Sequence, residues 1–190
     1  FVDAASPASA DMRADQSVTR FRHVTVDAAQ IRPAGRNAPT PRRITLNLFP
    51  GLSWTAELDR LDTTATGTVW NGHIPGVPSS AVTLSIVNGA MHGSVFTPDG
   101  TYIVRPVAGA VHAITEVDQG RFPQEADPVE AQVPARAFQQ PDAAMADTSG
   151  FIDVMVLYTP AAQSAAGGSA AVTALINAAI SNTNSDRKSV

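Results

Sequence analysis

The 190 residues contain no cysteine, which excludes disulfides, thiolate metal sites, thiol nucleophiles and any thiol-based latency switch. Charged residues make up only 16% and the formal net charge is −4. That leaves no basic footprint for nucleic acid or for an anionic membrane surface. No apolar run approaches the roughly 20 residues that a membrane-spanning helix needs. A Gly-x-Ser-x-Gly elbow is missing, and serine, histidine and aspartate are too scattered to propose a triad. The four histidines (His23, His73, His92 and His112) lie far apart, and none is followed by glutamate. They lack the spacing of a zinc-binding helix and read as surface or half-buried strand residues. We therefore assign no catalytic and no metal-binding residue within the chain.

What is present is alternation. Residues 1–41 read as a mobile segment with a possible first strand at Phe21–Val26. From Arg42, Ile44, Leu46 and Leu48 share one face, Pro50-Gly51 marks a turn, and Leu52, Trp54, Ala56 and Leu58 alternate back. Thr66–Ile74 is a further strand, and Asn71-Gly72 inside it reads as a bulge rather than a turn. Val82, Leu84 and Ile86 lead into Asn88-Gly89, a tight hairpin signal, and Met91–Phe96 pairs back. Asp99-Gly100 turns the chain into Tyr102–Val107, and Val111–Val117 closes the series. Residues 42–118 are thus expected to form an antiparallel, sandwich-like β domain. Trp54, Trp70, Phe49 and Tyr102 are read as core rather than as a sugar-stacking surface.

Residues 119–150 change texture: Pro123, Pro128, Pro134 and Pro141 interrupt a run rich in alanine, glutamine and acids. A stretch this long without periodicity reads as an interdomain linker. After it, Phe151–Tyr158 is apolar apart from Asp153 and reads as a buried strand ended by Thr159-Pro160. Gly167-Gly168 is a joint and Ser169 a helix cap. Val172, Leu175, Ile176, Ala179, Ile180 and Thr183 then form an apolar stripe on a helix over Ala170–Thr183. Residues 151–190 are therefore an incomplete strand–helix (α/β) unit, expected to stand apart from the β domain.

Phe151–Pro160 with the following helix resembles the opening strand and first long helix of a metzincin-type zinc metallopeptidase domain, reprolysin-like or peptidyl-Asp metallopeptidase-like. The pro-region of those secreted bacterial enzymes is resembled by Ile44–Phe49, Trp70–Val77, Val82–Ile86, Tyr102–Pro106, Val111–Ile114 and Phe122–Pro128 in that order. The resemblance covers roughly two thirds of the chain, yet its His-Glu-x-x-His helix is absent. It implies a propeptide that keeps its own catalytic domain latent and aids folding, in a secreted parent that hydrolyses peptide bonds with zinc. The fragment itself would bind no cofactor and be inactive. Latency by occlusion requires no ligand; Glu125 and Asp127, or Glu116 and Asp118, are the carboxylates available to block zinc directly. Cleavage before aspartate, as peptidyl-Asp relatives imply, points to Ala146–Asp147 as the processing bond. A non-catalytic β-sandwich binding module of an extracellular protein is the alternative.

Overall fold

The computed structural model describes residues 1–5, 15–27, 31, 40–124 and 154–186. Among these residues nine strands form: β1 (Val2–Asp3), β2 (Val18–Thr25), β3 (Arg43–Phe49), β4 (Leu52–Thr63), β5 (Thr68–His73), β6 (Ala81–Val87), β7 (Ala90–Thr97), β8 (Gly100–Ala108) and β9 (Val111–Val117). They make one sheet in the order β1-β2-β9-β8-β7-β6-β5-β4-β3, antiparallel throughout. From β3 to β9 the path is a meander, and β2 adds to the far edge of β9. The fold is mainly β and antiparallel, as the alternation requires.

The sandwich-like enclosure comes from one sheet curling on itself. Leu46, Leu48, Trp70, Leu84, Met91, Val104 and Ile114 are buried in one cluster on its inner face. Burying each such side chain stabilises the fold by about 1.5–3 kcal/mol. The curl brings β2 to β3 across the open side: the Arg22 guanidinium donates to the Asn47 carbonyl at 2.7 Å. Arg20 lies over the Phe49 ring at 4.2 Å, and Phe49 and Trp54 both meet the Tyr102 ring. The aromatic group is therefore core, with Trp70 fully buried and its indole donating to the Pro41 carbonyl at 3.3 Å.

Turn chemistry places the strands. Asn88 and Gly89 both have positive φ (48° and 84°), the geometry of a two-residue hairpin matched to strand twist. The next turn falls on Pro98-Asp99, one residue before the expected pair, because Gly100 already pairs with Thr97. Asn71-Gly72 stays within β5, as expected. Leu58 faces Gly72 and Arg60 faces Asn71, so the extra residue, Asp59, sits on β4 opposite them.

Three expectations are corrected. The N-terminal segment is not wholly irregular: β1 pairs with β2, and β2 starts at Val18, before the expected Phe21. Val154–Thr159 forms no strand; its side chains are exposed, and a strand exists only where another pairs with it. Phe151–Asp153 lie outside the described residues. Thr159-Pro160 opens a helix as well as ending the run: Thr159 Oγ1 accepts from the Ala162 amide at 3.1 Å, with proline at the first helical position. This helix, α1 (Pro160–Ala166), ends at Gly167 in the left-handed conformation. A bend of 86° leads into α2 (Ser169–Asp186), which contains the expected helix.

The third correction concerns α2. Instead of standing apart, it packs on β5, β6 and β7, and Phe1–Phe122 with Tyr158–Val190 form one compact unit. Its buried face is Ala171, Val172, Ala174, Ala178 and Ser181, while Leu175 and Ile180 of the expected stripe are each 42% exposed. Small residues let the helix approach the sheet closely; of the expected stripe Val172 stays buried, and Leu175 and Ile180 turn outward.

Gly72 offers a test of this packing. A Cβ there would meet the Glu57 carbonyl oxygen and, at 2.6 Å, the Trp70 ring. Gly72→Ala should destabilise the protein by about 2–3 kcal/mol, read as a lowered urea midpoint at constant slope. An unchanged midpoint would contradict the packing of Trp70 over this strand.

Candidate functional site

The outer face of β5–β7 carries polar side chains in register. Asn71 pairs with Thr83, and Thr83 with Ser94; Val69 pairs with Ser85, and Ser85 with His92. Helix α2 lies on this surface and joins a closed ring of hydrogen bonds. Arg60 Nη2 donates to Ser181 Oγ (3.3 Å), which donates to Asn71 Oδ1 (2.8 Å). Asn71 Nδ2 donates to Asp62 Oδ2 (3.1 Å), which also accepts from Arg60 Nε (2.8 Å). Thr83 Oγ1 adds a second donor to Asn71 Oδ1 at 3.2 Å. Asn182 reaches Ser94 Oγ at 3.2 Å and Asn177 reaches Thr66 Oγ1 at 3.3 Å. Ser85 Oγ is buried here without a hydrogen-bond partner. Such a group costs about 1–3 kcal/mol.

The histidines do not converge. His112 is 1% exposed; its Nε2 accepts from the Met91 amide and its Nδ1 faces the Ala110 carbonyl, both at 3.0 Å. Only the neutral ring protonated on Nδ1 satisfies both partners. Burial pushes its pKa down, partly offset by the Ala110 carbonyl. His92 is pushed down to about 4 by burial and by the Arg105 charge on β8. Burial also lowers His23, which packs edge-on to Phe21. His73 lies 2.8 Å from Asp59 on the rim. Among the described residues, no three histidine or acidic side chains lie together as a metal site would need.

Glu116 and Asp118 have structural partners. Glu116 pairs with Arg20 at 2.5 Å, and Asp118 accepts from the Gly120 amide at 2.9 Å, capping a short 3-10 turn at Gln119–Arg121. With Asp99 they border an open groove of about 570 Å³ between residues 96–101 and 116–120. Glu125, Asp127, Ala146 and Asp147 lie outside the described residues. Gly167-Gly168-Ser169 acts as a helix junction.

The most unusual surface is apolar. Val154, Met155, Val156, Leu157 and Tyr158 are 65, 81, 43, 81 and 47% exposed in sequence. Consecutive large apolar side chains in water are uncommon in a finished fold. No family model, no curated protein and no solved structure matches this chain.

Sequence reasoning located this segment but missed the ring. Asn71 and Ser181 are 110 residues apart, and nothing in either neighbourhood announces a partner. The available signal was Ala171, Ala174, Ala178 and Ser181, small residues at helical steps beside a more apolar stripe.

The histidines predict acid sensitivity. His92 and His112 are held below their ordinary pKa when folded, so the unfolded chain binds protons first. Stability is full above pH 6.5 and falls as pH drops towards about 4, by on the order of 2 kcal/mol for His92. Urea titrations across that range should show the slope, and His92→Gln should flatten it. A wild-type stability independent of pH there would contradict both burials.

Proposed function

We propose that this chain is the pro-region and opening segment of a secreted bacterial zinc metalloendopeptidase of the metzincin type. The observation that carries the reading is Val154–Tyr158, a strand-like sequence with all five side chains exposed. In a completed catalytic domain it would gain neighbouring strands and become buried. The outward Leu175 and Ile180 on α2 fit the same account, because a crossover helix needs a sheet against its larger residues.

The zinc, its ligands and the general base of the parent would lie beyond Val190. The described residues do not assemble a zinc site, so no step of the hydrolysis is assigned to them. In the parent, zinc would activate a water for attack on the peptide carbonyl. This chain would contribute latency and assistance in folding, by covering the cleft rather than by ligating metal.

A second reading, a non-catalytic extracellular β module, is favoured by α2 belonging to the same compact unit as the sheet. The continuing reading frame decides between them. We expect His-Glu-x-x-His within the next hundred or so residues, and its absence leaves the binding module.

Maturation supplies a further test. The secreted full-length enzyme should begin at or near Asp147 and contain zinc in a one-to-one ratio by elemental analysis. A start within the β strands or beyond Tyr158 would overturn the boundary.

A further inference from the structure

Helix α2 has two unlike faces, and the sheet holds the one with less apolar bulk. Ala171, Val172, Ala174, Ala178 and Ser181 are buried against β5–β7, while Leu175 and Ile180 face away. On the covered sheet face Asn71, Thr83, Ser85 and Ser94 are buried beside Val69 and Val87, so the contact mixes hydrogen-bonding groups with a few small apolar side chains. Hydrogen bonds from Ser181, Asn182, Asn177 and Arg60 fix its register. The orphaned Ser85 hydroxyl subtracts from its strength. Hydrogen bonds in fixed register around a few small apolar side chains are the character of a separable interface.

We propose that the outer face of β5–β7 is a docking surface for α2 that keeps the two pieces together after the chain between them is cut. The partner it fits is a helix with a small-residue face and a serine and asparagine near its C-terminal end. This goes beyond the peptidase reading and stands on the interface alone. In a precursor of any kind, cutting between Gln124 and Val154 would leave the β unit bound to the released piece non-covalently. Release would then be a second step, set by dilution or by competition for the outward face of α2.

The test uses the full chain with a site for a sequence-specific protease inserted between Gln124 and Val154. It is folded, cut, and passed over a sizing column at micromolar concentration. The two pieces should co-elute. Ser181→Ala, which opens the ring, should weaken the complex about tenfold, the equivalent of one or two hydrogen bonds. Ala178→Leu should separate the pieces with the β-sheet circular dichroism unchanged. Leu175→Ser, on the outward face, should leave co-elution as in the wild type. Separation of the wild-type pieces, or equal weakening by Leu175→Ser and Ser181→Ala, would overturn the proposal. A zinc-free parent would sink the peptidase reading and leave this outcome unchanged.

Discussion

A sheet with one apolar face must hide that face, and among the described residues there is no second sheet to hide it against. Curling is the solution available to a long antiparallel meander, because strand twist accumulates across nine members. The rest of the structure depends on that closure. It stacks Trp70, Leu84, Met91 and Ile114 into one cluster and draws Arg22 on β2 to the Asn47 carbonyl on β3. It also determines where the tight positions fall. Trp70 lies across Gly72, and the bulge at Asp59 sits opposite, where the β4–β5 ladder slips by one residue.

Because the interior is filled by a single sheet's inner face, the outer face is left to interact with other elements. Along β5–β7 it carries hydroxyls and an amide beside two buried valines, Val69 and Val87. Those groups need hydrogen-bond partners once covered, and α2 supplies them to Asn71 and Ser94 through Ser181 and Asn182. The cover is incomplete in energy, as the Ser85 hydroxyl shows, and incomplete in extent, since Leu175 and Ile180 remain outside. A helix held by its less apolar side suits an element that serves two masters in sequence, which joins the docking proposal to the zymogen proposal. Neither depends on the histidines, whose burial ties them to fold stability.

The sequence alone determined the strands β3 to β9 and their succession along the chain, because period-two alternation and turn residues act over a few positions. Ile44, Leu46 and Leu48 announced an inner face, and Asn88-Gly89 announced a hairpin with no help from the rest of the chain. The helix over residues 170–183 was legible from its spacing, although Ser169, read as its cap, is its first residue. What tertiary structure decided was which faces meet. Hydrophobicity favoured the Leu175 side of α2, but the sheet beneath carries hydroxyls and an amide that need partners, so the side with Val172, the alanines and Ser181 won. Phe151–Tyr158 has strand composition, yet pairing is a property of two segments, and its described part has none. The ring through Arg60, Asp62, Asn71 and Ser181 was illegible for the same reason. It exists only once the sheet has curled and the helix has landed, bringing together residues that local pattern cannot relate.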